Sequence, residues 1–276
     1  YRPTKLSPAT RVLGVVAYPA GYSMSPALHN RAFQSRRVDA VYLPFEVEPG
    51  RVRDFFRFAE ALPVHGLSVT IPHKRAVMRY LDSLDPLAAK IGAVNTIYRR
   101  KGKLRGTNTD AVGVTVPLAH RMPLKRASVL VVGNGGAARA AAFALKQKGA
   151  RVTLSGRNPG RVLALAKACG VTALKREALA GTHFDALVHA TPIGMHPRDN
   201  ECFFDDDAIP ADLVFDMVYN PLETLLLKKA RSEGKAVIQG LEMFLEQAAA
   251  QFEIWTAETA PRAVMKRAVL EALRAK

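Results

Sequence analysis

Cysteine pairs, histidine pairs and long apolar runs are absent from this sequence, and each absence excludes a class of protein. Two cysteines in 276 residues, without a Cys-x-x-Cys pair, exclude a disulfide-stapled domain and a cysteine zinc cluster. The seven histidines include no His-Glu-x-x-His arrangement, so no metal site is expected. No apolar run approaches the roughly 18 residues that span a membrane, and no signal peptide opens the chain. We therefore expect a soluble protein of a reducing compartment, placed in the cytoplasm.

Acidic residues are outnumbered by basic ones. Forty lysines and arginines against twenty-four aspartates and glutamates give a formal charge of +16, which attracts polyanions. The longest basic clusters, such as Arg99-Arg100-Lys101, are short and contain no interleaved aromatic residues. This pattern favours small phosphorylated ligands over nucleic acid. A nucleic-acid-binding module is the alternative, and it would show a steep salt dependence of DNA or RNA binding.

The first 110 residues alternate strand and helix patterns, which is typical of an α/β sheet with parallel neighbours. Predicted strands cover 12–18, 41–47 and 67–71, and predicted helices cover 26–37 and 52–61. A further helix is expected after Pro72. Residues 93–105 instead predict a hairpin that turns at Lys101-Gly102.

A polar, proline-bearing stretch at 122–126 precedes a second series of strands and helices. Predicted strands cover 128–132, 152–155, 186–190 and 213–215, and an alanine-rich helix covers 137–148. Residues 241–258 and 262–275 are predicted to be helical. The sequence thus predicts two α/β domains with a helical C-terminus.

The glycine-rich segment Gly133-x-Gly135-x-x-Ala138 lies between a predicted strand and a predicted helix, which is the context of a dinucleotide-binding turn. The first glycine allows a tight turn, the second lets the backbone approach a pyrophosphate, and the small third residue allows close packing of the helix on the strand. The helix N-terminus offers free N–H groups to the anion. The alternative is a glycine-rich turn without a ligand.

The second strand of this domain ends without a carboxylate. An NAD site would carry an Asp or Glu there to hold the ribose 2′-hydroxyl, but the chain has Ser155-Gly156-Arg157-Asn158. The planar fork of Arg157 suits a 2′-phosphate, and Arg161 could supply a second positive charge. NADP(H) is therefore favoured over NAD(H), although Arg157 could also be a loop arginine that faces water.

Ser23-Met24-Ser25-Pro26 precedes a predicted helix. Two serines spaced by two in an extended segment point to the same side, and two hydroxyls beside a helix N-terminus can receive a carboxylate. The alternative is an ordinary helix N-cap at Ser25.

Several separate motifs, read together, resemble the shikimate dehydrogenase family in order and spacing over essentially the whole chain. They are Ser23-Met24-Ser25-Pro26, Ser68-Val69-Thr70-Ile71-Pro72-His73-Lys74, Gly92-Ala93-Val94-Asn95-Thr96, Asn108-Thr109-Asp110, Asp216-Met217-Val218-Tyr219 and Gly240-x-x-Met243-x-x-x-Gln247. The resemblance implies a substrate-binding domain over 1–110 and 241–276 and a Rossmann-type NADP-binding domain over 111–240. It also implies reversible, NADP-dependent reduction of 3-dehydroshikimate to shikimate.

The resemblance further assigns roles to individual residues. Lys74 and Asp110 would be catalytic, with Lys74 as the acid in the reductive direction and Asp110 orienting it. Substrate-binding residues would be Ser23, Ser25, Ser68, Thr70, Asn95, Tyr219 and Gln247. Cofactor-binding residues would be Gly133, Asn134, Gly135, Gly136, Ala137, Gly156, Arg157, Asn158, Arg161, Thr191, Met217, Gly240 and Met243. From the residues alone, Lys74 could be an exposed helix lysine and Asp110 a cap of the helix that follows it.

Two positions depart from the pattern of most bacterial members of the family. Ser68 stands where they have asparagine, and Gly156-Arg157-Asn158 stands where they have Asn-Arg-Thr. The first departure keeps open a quinate/shikimate dehydrogenase of broader specificity. A nucleotide-sensing protein without catalysis is a third possibility, against which the joint presence of Lys74 and Asp110 argues.

The N-terminus begins at Tyr1 rather than at methionine, and residues 2–10 have the character of a linker. Together with the 68–74 motif, this segment resembles the junction in bifunctional dehydroquinate dehydratase–shikimate dehydrogenase proteins. We therefore expect a covalently fused dehydroquinate dehydratase domain.

Overall fold

The computed structural model describes residues 6–205 and 207–275. The chain divides into two compact units, one with the residues up to Thr109 and those from Gln247 onwards, the other with Asp110–Glu246. Across the described residues, no helix is both long and apolar enough to cross a membrane. The linker predicted over 2–10 lies partly outside the described residues.

The first unit is built on a mixed sheet. Its elements are β1 (Arg11–Ala17), α1 (Ser25–Ser35), β2 (Ala40–Glu46), α2 (Val52–Ala61), β3 (Val64–Val69), β4 (Ser83–Leu84), α3 (Pro86–Ile91), β5 (Thr96–Arg100) and β6 (Lys103–Thr107), with C-terminal helices given below. The strand order is β2-β1-β3-β5-β6-β4. β2, β1 and β3 are parallel, whereas β5 runs antiparallel to both β3 and β6.

The predicted hairpin is confirmed as β5–β6. Lys101 and Gly102 form its turn, with φ angles of 52° and 77°. Positive φ at both central residues matches the right-handed twist of the flanking strands, and glycine adopts it without steric cost.

The helix predicted after Pro72 is present as a short 3₁₀ helix over Ala76–Tyr80, preceded by a turn, and not as an α-helix. The carbonyl oxygen of Lys74 accepts a hydrogen bond from the distant N–H of Val94 at 2.7 Å. The His73 ring is bonded to the carbonyl oxygen of Val47 at 2.6 Å. These long-range bonds help to hold the segment, in which the N–H of Val77 still donates an i→i+4 bond to the carbonyl oxygen of His73 at 3.1 Å.

The second unit contains a parallel sheet with helices on both faces. Its elements are α4 (Asp110–Ala119), β7 (Ser128–Val132), α5 (Gly136–Gln147), β8 (Arg151–Ser155), α6 (Pro159–Cys169), β9 (Thr172–Ala173), β10 (Phe184–His189), β11 (Ala211–Asp216), α7 (Leu225–Ser232) and β12 (Ala236–Ile238), before α8 (Gly240–Thr256) and α9 (Arg262–Arg274). The order β9-β8-β7-β10-β11-β12 is that of the dinucleotide-binding doubly wound fold. Val129 and Val131 of β7 pack into one apolar core, and Leu130 and Val132 pack into a second one, as expected for a strand buried on both faces.

His29 is a fully buried histidine of the first unit. Its ring stacks on Tyr42 at 4.6 Å between centroids and meets the edge of Trp255 at 5.1 Å. Among the described residues, neither ring nitrogen has a hydrogen-bond partner of acceptable geometry. Burial lowers the pKa of His29 to about 3, and the polar side chain of Gln251 opposes this shift. His29 is therefore neutral in the folded protein at physiological pH.

The low pKa of His29 predicts a loss of stability in mild acid. The folded state binds no proton at His29 until the pH falls near 3, whereas the unfolded chain binds one below its ordinary value of 6.5. The stabilising contribution is thus complete above pH 6.5 and declines as the pH falls, by about 2 kcal/mol between pH 6.5 and 5. His29→Phe removes this part of the decline. Urea unfolding followed by the fluorescence of Trp255, the single tryptophan, measures it.

His73 also has a pKa lowered by burial. Because His73 is present in both the wild type and His29→Phe, its effect on stability cancels when the two proteins are compared. Identical pH dependence of the free energy of unfolding in the wild type and in His29→Phe would show that His29 is not held neutral.

Candidate active site

The turn between β7 and α5 requires glycine at its first position. Gly133 has a φ of +135°, and a Cβ atom there would lie 2.7 Å from the carbonyl oxygen of Ala190. Both the dihedral angle and the close approach exclude a larger residue. At Gly135, by contrast, no atom lies within 4 Å of the position of an added Cβ, so the space beside this residue is open.

The first turn of α5 is suited to hold an anion. Gly135 is its N-cap residue and provides no side-chain acceptor for the N–H groups of the helix. Asn134, Gly136 and Ala137 are half-buried around it. A helix N-terminus with unsatisfied N–H groups and an open approach fits the pyrophosphate of a dinucleotide.

The end of β8 adjoins this turn and carries positive charge. A Cβ added to Gly156 would lie 3.7 Å from the backbone nitrogen of Gly133. Arg157 and Arg161 are exposed, and no Asp or Glu occurs from Ser155 to Arg161. This set of donors fits a 2′-phosphate, because guanidinium groups form charge-assisted hydrogen bonds with phosphate oxygens.

Asn158 serves as the N-cap of α6. Its Oδ1 accepts a hydrogen bond from the backbone N–H of Arg161 at 3.0 Å. The side-chain oxygen of Asn158 therefore stabilises the start of the helix that carries Arg161.

The other cofactor positions expected in the second unit lie after β10 and β11 and at the start of α8. Thr191 and Met217 are half-buried, and Met243 is packed into the apolar core. A Cβ on Gly240 would overlap the carbonyl group of Val218, so close packing requires glycine at this position.

Tyr219, expected at the substrate, is half-buried near the start of α8. Its ring stacks on Phe244 of that helix at 4.3 Å between centroids.

In the first unit, Asn95 is the centre of a buried polar cluster. Its Oδ1 accepts hydrogen bonds from the N–H of Thr109 at 2.7 Å and from the hydroxyl of Thr96 at 2.8 Å. Its Nδ2 donates to Thr109 Oγ1 at 2.9 Å and lies 3.5 Å from Gln247 Oε1. Asn95 is 1% exposed and Gln247 8%, so Asn95 and Gln247, both predicted site residues, are brought together.

Ser68 belongs to the same cluster through Gln251. The Ser68 hydroxyl donates to Gln251 Oε1 at 2.8 Å and accepts a hydrogen bond from the Tyr42 hydroxyl at 2.6 Å. Gln251 Nε2 in turn donates to Thr96 Oγ1 at 3.0 Å. The hydroxyl of Ser68 is thus fixed by two neighbours rather than free to rotate.

Sequence reasoning missed Tyr42, Thr96 and Gln251. Gln251 could have been found, because it lies four residues after Gln247 on the same helix and therefore on the same face.

The serine pair at the start of α1 is present, but not as an extended segment. Met24 occupies the N-cap position with φ −89° and ψ 0°, so the expectation of extended backbone is wrong. Ser25 is the first helical residue, which also overturns the alternative of a cap at Ser25. Ser23 Oγ accepts a hydrogen bond from the N–H of Ser25 at 3.2 Å.

Lys74 lies in the turn after β3 and is half-buried. The N–H of Thr70 donates to the carbonyl oxygen of Val16 at 3.1 Å, which ties the beginning of this turn to β1. The carbonyl oxygen of Lys74 is bonded to Val94, the residue before Asn95. Backbone hydrogen bonds therefore fix Lys74 close in the fold to the Asn95 cluster.

Asp110 is the first residue of α4 and is 2% exposed. It directly follows Thr109, whose N–H and hydroxyl are bonded to Asn95. Asp110 is itself a helical residue, so it does not occupy the N-cap position before the first turn of α4. The positive end of the helix dipole favours a negative charge at this position.

The strand order and the glycine turn of the second unit define a dinucleotide-binding protein, the class that contains the dehydrogenases. Residues 15–97 match the model of the shikimate dehydrogenase substrate binding domain, and residues 240–270 match that of the shikimate 5′-dehydrogenase C-terminal domain. The chain belongs to the shikimate dehydrogenase family.

Individual relatives support this membership over nearly the full length. "Shikimate dehydrogenase (NADP(+))" of Oleidesulfovibrio alaskensis is 41% identical over 271 residues, which cover 95% of this chain and 96% of the relative. The shikimate 5-dehydrogenase structure from Thermus thermophilus, in complex with NADP(H) and shikimate, has a TM-score of 0.83 and 35% identity over 95% of this chain and 99% of its own. A chorismate mutase/shikimate 5-dehydrogenase fusion protein from Clostridium acetobutylicum has a TM-score of 0.88 and 31% identity over 96% and 98%.

The two glycines of the β7–α5 turn predict different outcomes on substitution. Gly135→Ala should leave the melting temperature nearly unchanged, because an added Cβ meets no atom, but should weaken binding of a nicotinamide dinucleotide by filling the approach to the helix N-terminus. Gly133→Ala should lower both the melting temperature and the affinity for the dinucleotide, because Gly133 has a positive φ and an added Cβ would contact Ala190. Calorimetric titration and thermal unfolding measure the two effects. Unimpaired dinucleotide binding by Gly135→Ala would place the pyrophosphate elsewhere.

Proposed function

We propose that this protein catalyses the reversible, NADP-dependent reduction of 3-dehydroshikimate to shikimate in chorismate biosynthesis. The observation that carries the proposal is the backbone hydrogen bond that fixes Lys74 beside the buried Asn95 cluster in a chain with a dinucleotide-binding turn. The first unit, with the C-terminal helices, would bind the substrate, and the second unit would bind NADP(H). Full-length likeness to NADP-dependent shikimate dehydrogenases supports it.

Each part of NADP(H) would have its own residues in the second unit. The segment Gly133–Ala137 would hold the pyrophosphate, and Gly156, Arg157, Asn158 and Arg161 would surround the 2′-phosphate. The nicotinamide-ribose half would be lined by Thr191, Met217, Gly240 and Met243. The chemistry that NADP(H) supplies when bound is donation and acceptance of a hydride.

The first unit would supply most of the substrate contacts. Ser23 and Ser25, beside the N-terminus of α1, suit the carboxylate of shikimate because a helix N-terminus favours an anion. Amide and hydroxyl groups can both donate to and accept from ring hydroxyls, so we assign Ser68, Thr70, Asn95 and Gln247 to the ring. From the second unit we assign Tyr219 to the ring as well.

Lys74 would provide the proton in the reductive direction. When hydride reaches the C3 carbonyl carbon, the oxygen becomes an alkoxide and must take up a proton. A protonated lysine can deliver that proton, and in the reverse direction the neutral amine removes it from the C3 hydroxyl. We assign to Asp110 the tasks of orienting Lys74 and binding a substrate hydroxyl.

Replacing Lys74 should lower turnover more than binding. General acid–base catalysis contributes a factor of roughly 10² to 10⁴, so Lys74→Ala should lower kcat by about that factor. KM for shikimate should change less, because Ser23, Ser25 and Asn95 remain. Initial rates of NADPH formation measure both constants. Lys101→Ala, in the exposed hairpin turn, is the control and should retain wild-type kcat. A Lys74→Ala enzyme with normal kcat and raised KM would make Lys74 a binding residue only.

Arg157 should determine the choice between NADP and NAD. A charge-assisted contact with phosphate contributes about 1.5 to 3 kcal/mol, or roughly tenfold to a hundredfold in preference. Arg157→Ala should raise KM for NADP⁺ by this factor and leave KM for NAD⁺ unchanged. Arg161→Ala should raise KM for NADP⁺ by a smaller factor. Arg151→Ala, exposed at the opposite end of β8, should affect neither. Equal losses with both dinucleotides would assign Arg157 to the fold or the pyrophosphate instead.

Quinate is the second candidate substrate, and Ser68 is the observation that favours testing it. Its hydroxyl is already bonded to Tyr42 and Gln251, so the side chain reaches less far than an asparagine would. Rates with shikimate and with quinate, each with NADP⁺ and NAD⁺, test the whole proposal. Shikimate with NADP⁺ should give the highest kcat/KM, and no turnover with any pair would contradict the proposed enzyme.

We further propose a cytoplasmic protein that carries a fused dehydroquinate dehydratase domain. Cys169 and Cys202 are free thiols, which agrees with a reducing compartment. The fusion rests on the 68–74 segment, which resembles that of the fused proteins, and on the occurrence of a fused relative with a different partner domain. Immunodetection of the endogenous polypeptide tests it, and a band at 30 kDa, the mass of this chain, would contradict it.

A further inference from the structure

A line of hydrogen-bonded side chains joins the ends of β10 and β11. His189 Nδ1 lies 2.9 Å from Asp216 Oδ1, and His189 Nε2 lies 2.6 Å from Thr191 Oγ1. His189 is 1% exposed and Asp216 is 0% exposed, whereas Thr191 is half-buried. Thr191 is therefore the member of this line that can meet a ligand. Neither His189 nor the bonds around it were expected from the sequence.

The partners of Asp216 define the direction of each hydrogen bond. Its Oδ2 accepts the hydroxyl proton of Thr224 at 2.6 Å, and its Oδ1 accepts the N–H of Val218 at 3.1 Å. A carboxylate that accepts from these donors also accepts from His189, so the imidazole carries its proton on Nδ1. With the ring proton on Nδ1, an unprotonated Nε2 would accept the hydroxyl proton of Thr191 across the 2.6 Å contact.

The hydroxyl proton of Thr191 is thus committed to His189. Thr191 Oγ1 also accepts the N–H of Ile193 at 3.2 Å. One lone pair remains, and Thr191 can act toward a ligand only as a hydrogen-bond acceptor.

Strand order indicates which part of a dinucleotide would meet Thr191. β10 lies on the opposite side of β7 from β8. His189 is in register with Val132, and the N–H of Ala190 donates to the carbonyl oxygen of Val132 at 2.8 Å, directly before the glycine turn. With the 2′-phosphate at the end of β8 and the pyrophosphate at the end of β7, the nicotinamide half falls to the end of β10.

We propose that His189, held by Asp216, is a positioning residue that fixes Thr191 as a hydrogen-bond acceptor for the nicotinamide-ribose half of NADP(H). The inference rests on the proposed function for the identity of the dinucleotide. The donor on the ligand would be a hydroxyl or an amide N–H. His189 itself touches no ligand and acts through Thr191.

Calorimetric titration with two ligands tests the proposal without turnover. NADP⁺ contains both halves, whereas 2′,5′-ADP lacks the nicotinamide half. His189→Asn retains an N–H donor near Nδ1 for Asp216 but removes the acceptor at Nε2, and Thr191→Val removes the hydroxyl with little change in shape. Each should raise the Kd for NADP⁺ by about three- to tenfold and leave the Kd for 2′,5′-ADP unchanged. Because the two residues act in series, the double variant should bind NADP⁺ no more weakly than Thr191→Val.

A control variant separates positioning from general stability. Thr224→Val removes one hydrogen bond from Asp216 and from the start of α7 without touching His189. It should lower the melting temperature and leave the Kd for NADP⁺ unchanged. A loss of NADP⁺ affinity as large as that of His189→Asn would make the effect a general loosening and overturn the proposal.

The wild-type protein provides a test that does not depend on the folding of a variant. Long-range ¹H–¹⁵N spectra of the imidazole should show His189 protonated on Nδ1 and unprotonated on Nε2, and its Nε2 signal should shift with NADP⁺ but not with 2′,5′-ADP. A proton on Nε2, or no shift with NADP⁺, would overturn the inference. Absence of NADP⁺ binding by the wild type would overturn the proposed function together with it, whereas equal NADP⁺ affinity in His189→Asn would overturn the inference alone.

Discussion

A buried polar group must find its hydrogen-bond partners inside the protein, and this constraint shapes the candidate site residues of both units. Asn95 is almost completely buried, yet its carboxamide is satisfied by Thr96, Thr109 and Gln247. Asp216 is satisfied by His189, Thr224 and the backbone of Val218. Because an unsatisfied buried group costs about 1 to 3 kcal/mol, each network holds its members in one arrangement. The groups at the edge of each network are thereby held in fixed positions.

The sequence was sufficient where a local signal coincides with the final structure. The glycine turn at 133–136 lies between a β-branched run and an alanine-rich helix, and the structure places β7 and α5 there. The hairpin at Lys101-Gly102 is similarly local. The turn and the 3₁₀ helix after Pro72 could not be told from an α-helix in the sequence, because the bonds from Val94 and to Val47 that hold this segment are long-range. The strands β9 and β12 were not predicted, since two or three residues carry no periodicity.

The same distinction between local signals and long-range contacts applies to the candidate site residues. Arg157 was predicted because the missing carboxylate after β8 is visible in the sequence. Tyr42, Gln251 and His189 were not predicted, because Ser68, the partner of the first two, and Asp216, the partner of His189, lie 26 to 183 residues away along the chain. His29 shows the opposite case, since it is as buried as His189 but packs among aromatic rings, and neither of its ring nitrogens has a hydrogen-bond partner of acceptable geometry among the described residues. Burial alone therefore does not separate a positioning histidine from a core one.

NADP(H), held by the second unit, would supply and accept the hydride at the C3 carbon of shikimate, while Lys74 would carry the proton. The most direct measurement uses shikimate that carries deuterium at C3, incubated with NADP⁺ and the enzyme, followed by mass spectrometry of the reduced dinucleotide. We expect NADPH that contains one deuterium per turnover and 3-dehydroshikimate that contains none. Reduced dinucleotide without deuterium, or oxidation of shikimate at another carbon, would contradict the account.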